Sequence, residues 1–211
     1  MVHDRLLETA VREFGQKGLE GASTRGIAAA AGTAMSSITY HYGGKEGLYL
    51  AAADYIADQM EDVAEGMPLD GGHLPDTPAA ARAALQTILG RMADKLANKH
   101  AMPWSMFIVR EQMNPTEAFD RIYAGPMGRL TEMLVDLVRI ATHRRDGSAA
   151  RIAVATLLGQ VLAIRAARAT CARLFERPLD DPGLIADVKA RIAANTDAIL
   201  DRMIAERQEP Q

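Results

Sequence analysis

Between Ser36 and His41 the chain reads Ser-Ser-Ile-Thr-Tyr-His. Wound into a helix, this run spreads the hydroxyls of Ser36, Ser37, Thr39 and Tyr40 and the imidazole of His41 over one surface. Ile38 then turns the other way. Hydroxyl and imidazole groups bond phosphate oxygens or base edges, and aromatic and methyl groups touch thymine methyls. Upstream, Thr24 and Arg25 open another short helical stretch, whose first backbone N–H groups are free donors suited to a phosphate. Lys45 adds a mobile cation shortly downstream. These groups are equipped to hold and read a polyanion, not to make or break bonds.

The elements that must position them are legible on either side. Residues 4–17 carry Leu6, Leu7, Ala10, Val11 and Phe14 on one helical stripe. Gly18 is placed to end that helix in the left-handed conformation. Ser23 or Thr24 offers a cap for a helix over 25–31, with Ile27 and the alanines as its buried face. Gly32 breaks it, and a second short helix covers 35–42 before Gly43-Gly44. One amphipathic helix followed by two short helices around a glycine-containing turn is the layout of a helix-turn-helix. In such a unit the second short helix enters the DNA major groove.

The string Thr24-Arg25-Gly26-Ile27-Ala28-Ala29-Ala30-Ala31-Gly32, followed by Ile38-Thr39-Tyr40-His41-Tyr42-Gly43-Gly44-Lys45-Glu46-Gly47-Leu48, resembles the TetR family of bacterial transcriptional regulators. The likeness covers about 45 residues. By that resemblance, phosphate contacts fall on Thr24, Tyr40, His41 and Lys45, and base contacts on Arg25, Ser36 and Ser37. Three positions depart from the family pattern. Thr39 stands where a tyrosine is usual, so its phosphate contact is shortened or lost. Ala34 stands where a serine often caps the second helix, which moves the cap to Thr33 or Ser36. Tyr42 replaces a phenylalanine and keeps a packing role. Thr39-Tyr40 and the later run Arg110-Glu111-Gln112-Met113-Asn114-Pro115-Thr116 resemble the CecR-like branch of the family.

The plain alternatives are core packing for Tyr42 and Tyr40, a cap or solvated group for His41, helix-start residues for Ser36 and Ser37, and a local ion pair for Arg25. An enzyme and a helical interaction module without DNA binding are the rival classes. The five histidines at 3, 41, 73, 100 and 143 form no His-x-x-x-His pair. No Glu-x-x-His, Gly-x-Ser-x-Gly or phosphate-loop motif occurs. No catalytic residue, metal or cofactor is expected. A gel shift separates the two rivals from a regulator.

The 211 residues carry a net charge of −3, with 24 Lys+Arg against 27 Asp+Glu. All of that excess lies beyond residue 50, because the first 50 residues balance five basic groups against five acidic ones. Non-specific DNA affinity should therefore be modest. The 38 alanines and 5% aromatics favour helix over strand. One cysteine, Cys171, excludes an internal disulfide framework and fits a reducing compartment. The charge-free apolar run between Arg151 and Arg165 holds 13 residues, short of a membrane span. A soluble cytoplasmic protein with no membrane partner is expected.

Beyond the helix-turn-helix, helical patterns run over 45–65, 79–98, 102–112, 116–143, 148–175 and 183–207, separated by the Gly- and Pro-rich stretch 66–78 and by Asn114-Pro115. Gly125-Pro126 should break or kink the fourth of these. The expected fold is all-α, about nine helices, divided into a DNA-binding domain over 1–47 and an effector-binding and dimerisation domain over 48–211. Ile185, Val188, Ile192, Ile199 and Met203 recur at coiled-coil-like steps. With Leu158 and Leu162 of the preceding helix they are candidates for a homodimer interface, intrachain core being the alternative. The resembling family dimerises through its last two helices. A two-fold dimer implies double-stranded operator DNA of near-palindromic sequence. Met102, Trp104, Met106, Phe107, Phe119, Tyr123 and Met127 gather adaptable and aromatic side chains in one segment, with Arg110 as a polar anchor. The resemblance places an effector cavity there, with an apolar or aromatic small molecule as its expected occupant, and ordinary core around Gly125-Pro126 is the alternative. Repression relieved by that molecule is the expected mode of action.

Overall fold

The computed structural model describes residues 2–65, 73–97 and 104–208. Among the described residues every regular element is helical. The chain divides into two compact units, one of Met1–Gly66 with Met102–Arg129 and the other of Met67–Ala101 with Leu130–Gln211. Division by packing thus assigns residues 48–66 and 102–129 to the N-terminal unit. The division by role expected from the sequence falls at residue 47.

The first unit contains α1 (Val2–Gly21), α2 (Thr24–Ala31), α3 (Met35–Tyr42), α4 (Lys45–Glu65), α6 (Ser105–Met113) and α7 (Glu117–Ile122), α5 (Pro78–Ala97) lying between the last two pairs in sequence. The stripe of α1 is buried as its spacing requires, with Ala10 and Phe14 fully enclosed. It packs against α4 and α6, while α3 rests on α4. Gly18 takes φ 74° and ψ 174°, breaking the helical geometry one turn before α1 ends at Gly21. The two carbonyls exposed by that break, of Gly15 and Gln16, accept bonds from Nε and Nη2 of Arg110 on α6, at 2.9 and 2.7 Å. A remote guanidinium thereby takes the place of a local helix cap.

α6 and α7 are joined to α4 through a buried carboxylate. Glu111 is 2% exposed. Its Oε1 accepts from the Tyr49 hydroxyl at 2.5 Å. Its Oε2 accepts from Thr116 N, Thr116 Oγ1 and Phe119 N at 3.0, 2.9 and 3.1 Å. Glu111 therefore reinforces the Thr116 cap of α7, favourably placed for a negative charge at a helix N-terminus. Burial first, then the bond to Glu111, pushes the Tyr49 phenol well above its ordinary pKa, so it remains a donor.

The Gly125-Pro126 break is present. Residues Tyr123–Met127 form a π-helical turn with Gly125 out of helical geometry, dividing the expected 116–143 helix into α7 and α8 (Gly128–Thr142). The expected 148–175 helix is likewise divided, into α9 (Gly147–Ala166) and α10 (Arg168–Phe175), at the non-helical Ala167. α9 begins one residue earlier than Ser148, on Asp146, whose carboxylate accepts from Ser148 N at 2.9 Å. Those two divisions account for the excess over nine helices.

In the second unit α5, α9 and α11 (Pro182–Gln208) pack together. Ile88, Leu89, Leu157, Val161, Ile164, Ile192 and Leu200 lie inside it. Arg82 of α5 reaches Asp197 and Asp201 of α11, and Lys189 of α11 reaches Asp94 of α5. α9 carries an apolar window of mean hydropathy 1.5, only 33% buried, long and apolar enough to cross a membrane by length and composition. A core helix meets the same criterion, and the helix carries Arg151 and Arg165.

Candidate nucleic-acid interface

Ile27, Ala28 and Ala31 of α2 and Ile38 of α3 are buried in the core of the first unit. This anchoring determines which side chains remain outside. Arg25, Ser36, Thr39, Tyr40 and His41 are exposed, while Thr24, Ser37 and Lys45 are half-buried. Tyr40 is 85% exposed, which excludes the core reading for it. Its ring meets His41 edge-on, with centroids 4.9 Å apart. Thr24 and Arg25 lie in the first turn of α2, and the other α3 candidates share its outer surface.

The turn between α2 and α3 depends on Gly32, left-handed at φ 67° and ψ 36°. Its N–H returns to Ala29 O, and Thr33 N returns to Ala28 O. Arg5 Nε of α1 bonds Ala31 O at 2.8 Å, satisfying another carbonyl at this end. Ser23 is the N-cap of α2, accepting from Gly26 N at 3.3 Å. α3 starts on Ala34 without any side-chain cap. The cap does not shift to Thr33 or Ser36, since Thr33 Oγ1 turns to Ser37 Oγ at 3.4 Å. No side chain thus covers the first turn of α3, where Ser37 N returns to Ala34 O at 3.0 Å.

Tyr42 departs from a pure core role. Its ring stacks on His3 at 5.6 Å, and its hydroxyl bonds His3 Nδ1 at 3.0 Å. Lys45 Nζ is held on Glu20 O at 3.0 Å at the end of α1. The α3–α4 junction is tight: a Cβ on Gly47 would lie 1.7 Å from Tyr42 O. Sequence reasoning passed over Gly47, and also over Met35, 51% exposed at the open start of α3. Its spacing of three from Ile38 would place Met35 on the buried face, and its exposure follows instead from its place in the first turn of α3.

The remaining site candidates are distributed unevenly. Met102 lies outside the described residues. Phe107 is fully buried in the core of the first unit, stacked on Tyr49 at 4.6 Å. Arg110 is engaged with the α1 carbonyls. Trp104 and Met127 are partly buried against the same core, Met106 is 40% exposed, and Phe119 stacks on the exposed Tyr123 at 5.8 Å. Of the interface candidates, Ile185, Ile192 and Met203 are buried in their own chain at 9%, 4% and 7% exposure. α11 packs on α5 and α9, so these three side chains have the intrachain core role that was the alternative for them. Val188, Ile199 and Leu158 are half-buried, and Leu162 is 38% exposed.

A short helix anchored by one apolar residue, presenting hydroxyls and aromatics one glycine turn after another short helix, defines a helix-turn-helix DNA-binding module. Residues 6–52 match the family of bacterial regulatory proteins, tetR family. Residues 81–203 match the C-terminal domain of the HTH-type transcriptional dual regulator CecR. The chain belongs to the TetR family of transcriptional regulators, with a CecR-type C-terminal domain. It is 33% identical over 172 residues to CecR of Shigella flexneri, covering 79% of this chain and 76% of that protein.

Solved structures share the fold. FadR of Bacillus subtilis in complex with stearoyl-CoA has a TM-score of 0.62 at 15% identity, covering 96% of this chain and 97% of that one. AibR in complex with isovaleryl coenzyme A and operator DNA has a TM-score of 0.59 at 22% identity, covering 78% and 86%. These relatives are regulators, not enzymes, which decides between the rival classes.

Proposed function

We propose that this regulator is a cytoplasmic repressor that binds a near-palindromic operator as a homodimer and is released by a small apolar or aromatic molecule. The observation that carries the DNA-binding half is the outer surface of α3, where Ser36, Thr39, Tyr40 and His41 face outward from the buried Ile38. In this reading Thr24, Tyr40, His41 and Lys45 hold phosphates, and Arg25, Ser36 and Ser37 read bases, with Met35 available to a thymine methyl.

The dimer half rests on α9. Ile152 is 65% exposed and Leu162 38%, on a helix otherwise apolar enough to need cover. The proposed interface accordingly uses Leu158 and Leu162 with Ile152, and the outward half of α11. The effector half rests on Trp104, Met106, Phe119, Tyr123 and Met127, which keep accessible or adaptable surface beside the Gly125-Pro126 break. The acyl chains of the CoA esters in the FadR and AibR complexes are of the apolar class proposed.

A released repressor requires that the effector favour a state in which the two reading helices no longer fit both half-sites. Coupling of this kind is reciprocal. Titration of effector into free and operator-bound protein tests it: weaker binding to the DNA complex is expected, and equal binding to both would overturn the mechanism.

A further inference from the structure

From Gly147 to Phe175 the chain contains four arginines and no acidic residue, within a protein whose net charge is negative. Arg151 finds its partner outside that stretch, in Glu132. Among the described residues no carboxylate lies within 4 Å of Arg165 or Arg168. Arg168, the first residue of α10, donates Nη1 to Ala97 O of α5 at 2.8 Å, its one hydrogen bond among the described residues. Arg165, in the last turn of α9, has its Nε buried with no hydrogen-bond partner. Other arginines without a carboxylate, such as Arg5 and Arg110, spend their donors on backbone carbonyls, whereas the Arg165 Nε is buried and has no acceptor at all.

Two guanidinium groups three positions apart, one with a donor removed from water, have no counter-charge among the described residues. A favourable helix dipole accounts for cations at the end of α9, but not for a dry donor left unsatisfied. Desolvation, and then the charge of Arg168, presses the Arg165 pKa downward, the direction that a bound anion would reverse. Immediately beyond Arg168, an open groove of about 490 Å³ is lined by Ala169, Thr170, Arg173 and Leu174. It adds a hydroxyl, a third guanidinium and an apolar wall.

We propose that Arg165 and Arg168 form a binding site for a phosphate group, carried by a small molecule whose remainder lies along the Ala169–Leu174 groove. Forked guanidinium donors match the spread oxygens of a phosphate better than a compact ammonium would. The site belongs to the second unit and is independent of the effector segment discussed above.

The test uses the full chain and inorganic phosphate as probe, followed by ³¹P line broadening at ionic strength held constant with sodium chloride. Saturable broadening is expected for the wild type, and at least tenfold weaker binding for Arg165→Met. Arg165→Lys, which keeps the charge and most of the stem, should fold in any case and still bind several-fold more weakly. Acetate should compete poorly. An identical phosphate response in wild type and both variants would overturn the proposal. So would Arg165 variants that alter only the monomer–dimer equilibrium, which would make the unsatisfied donor a subunit contact. Equal competition by acetate would overturn the assignment to phosphate.

Discussion

Replacing Glu111 offers the sharpest energetic test of how the first unit is held. The carboxylate accepts four hydrogen bonds at 2% exposure. Hydrogen bonds to a charged group contribute ~1.5–3 kcal/mol each. Their simple sum overstates the effect, because Thr116 is exposed and water can reach its N–H and hydroxyl once the carboxylate is gone. The Tyr49 hydroxyl has no such recourse: it belongs to a side chain 4% exposed whose ring packs on Phe14 and Phe107. Leaving that donor stranded, with the volume of the lost carboxylate, puts Glu111→Ala at about 3–4 kcal/mol. That is a large share of the ~5–15 kcal/mol that stabilises a typical domain. Tyr49→Phe, which removes the donor but leaves a charge with three others, should cost about 2 kcal/mol. Urea denaturation followed by circular dichroism measures both. A cycle with Glu111→Gln should give a coupling above ~1 kcal/mol. A loss below ~0.5 kcal/mol for Glu111→Ala, or additivity of Tyr49→Phe with Glu111→Gln, would refute the reasoning.

Gly47→Ala forces a Cβ onto the Tyr42 carbonyl, 1.7 Å away, and backbone cannot yield as a side chain can. It should cost ~3 kcal/mol or more and abolish DNA binding, read by thermal denaturation and gel shift. Lys45→Ala should lower the slope of log affinity against log salt by ~0.9 per bound chain, whereas Tyr40→Phe, which removes no charge, should weaken binding with the slope unchanged. Asp181, held below its ordinary pKa by the Leu184 N–H and then by Arg177, stabilises the start of α11. Because the folded pKa is the depressed one, that contribution is complete above about pH 4 and disappears as pH falls through the folded value. The difference in thermal midpoint between wild type and Asp181→Asn should therefore be present at neutral pH and close in acid.

The helix-turn-helix was legible because its constraints are local. Apolar spacing gives α1, glycines at 32 and 43 end α2 and α3, and Ile38 determines which face of α3 remains outside. The kink at Gly125-Pro126 follows from proline chemistry in the same way. What escaped depends on distant partners. A seam of Ile185, Ile192 and Met203 has the same spacing whether its hole is in another chain or in α5 and α9. Phe107 reads as a free aromatic until Tyr49, 58 positions earlier, supplies its stacking partner. Arg110 reads as a polar anchor, yet it is committed to α1, and its neighbour Glu111 to α4 and α7. No spacing rule contains that wiring.

The central claim is that α2 and α3 read a two-fold DNA site. Footprinting on the DNA upstream of the protein's own gene tests it most directly, at low salt, with wild type and Arg25→Ala. The account predicts two protected half-sites about one helical turn, roughly 34 Å, apart. It also predicts altered base preference in the variant. No protection of any neighbouring promoter fragment, or an unchanged footprint and affinity for Arg25→Ala, would contradict it.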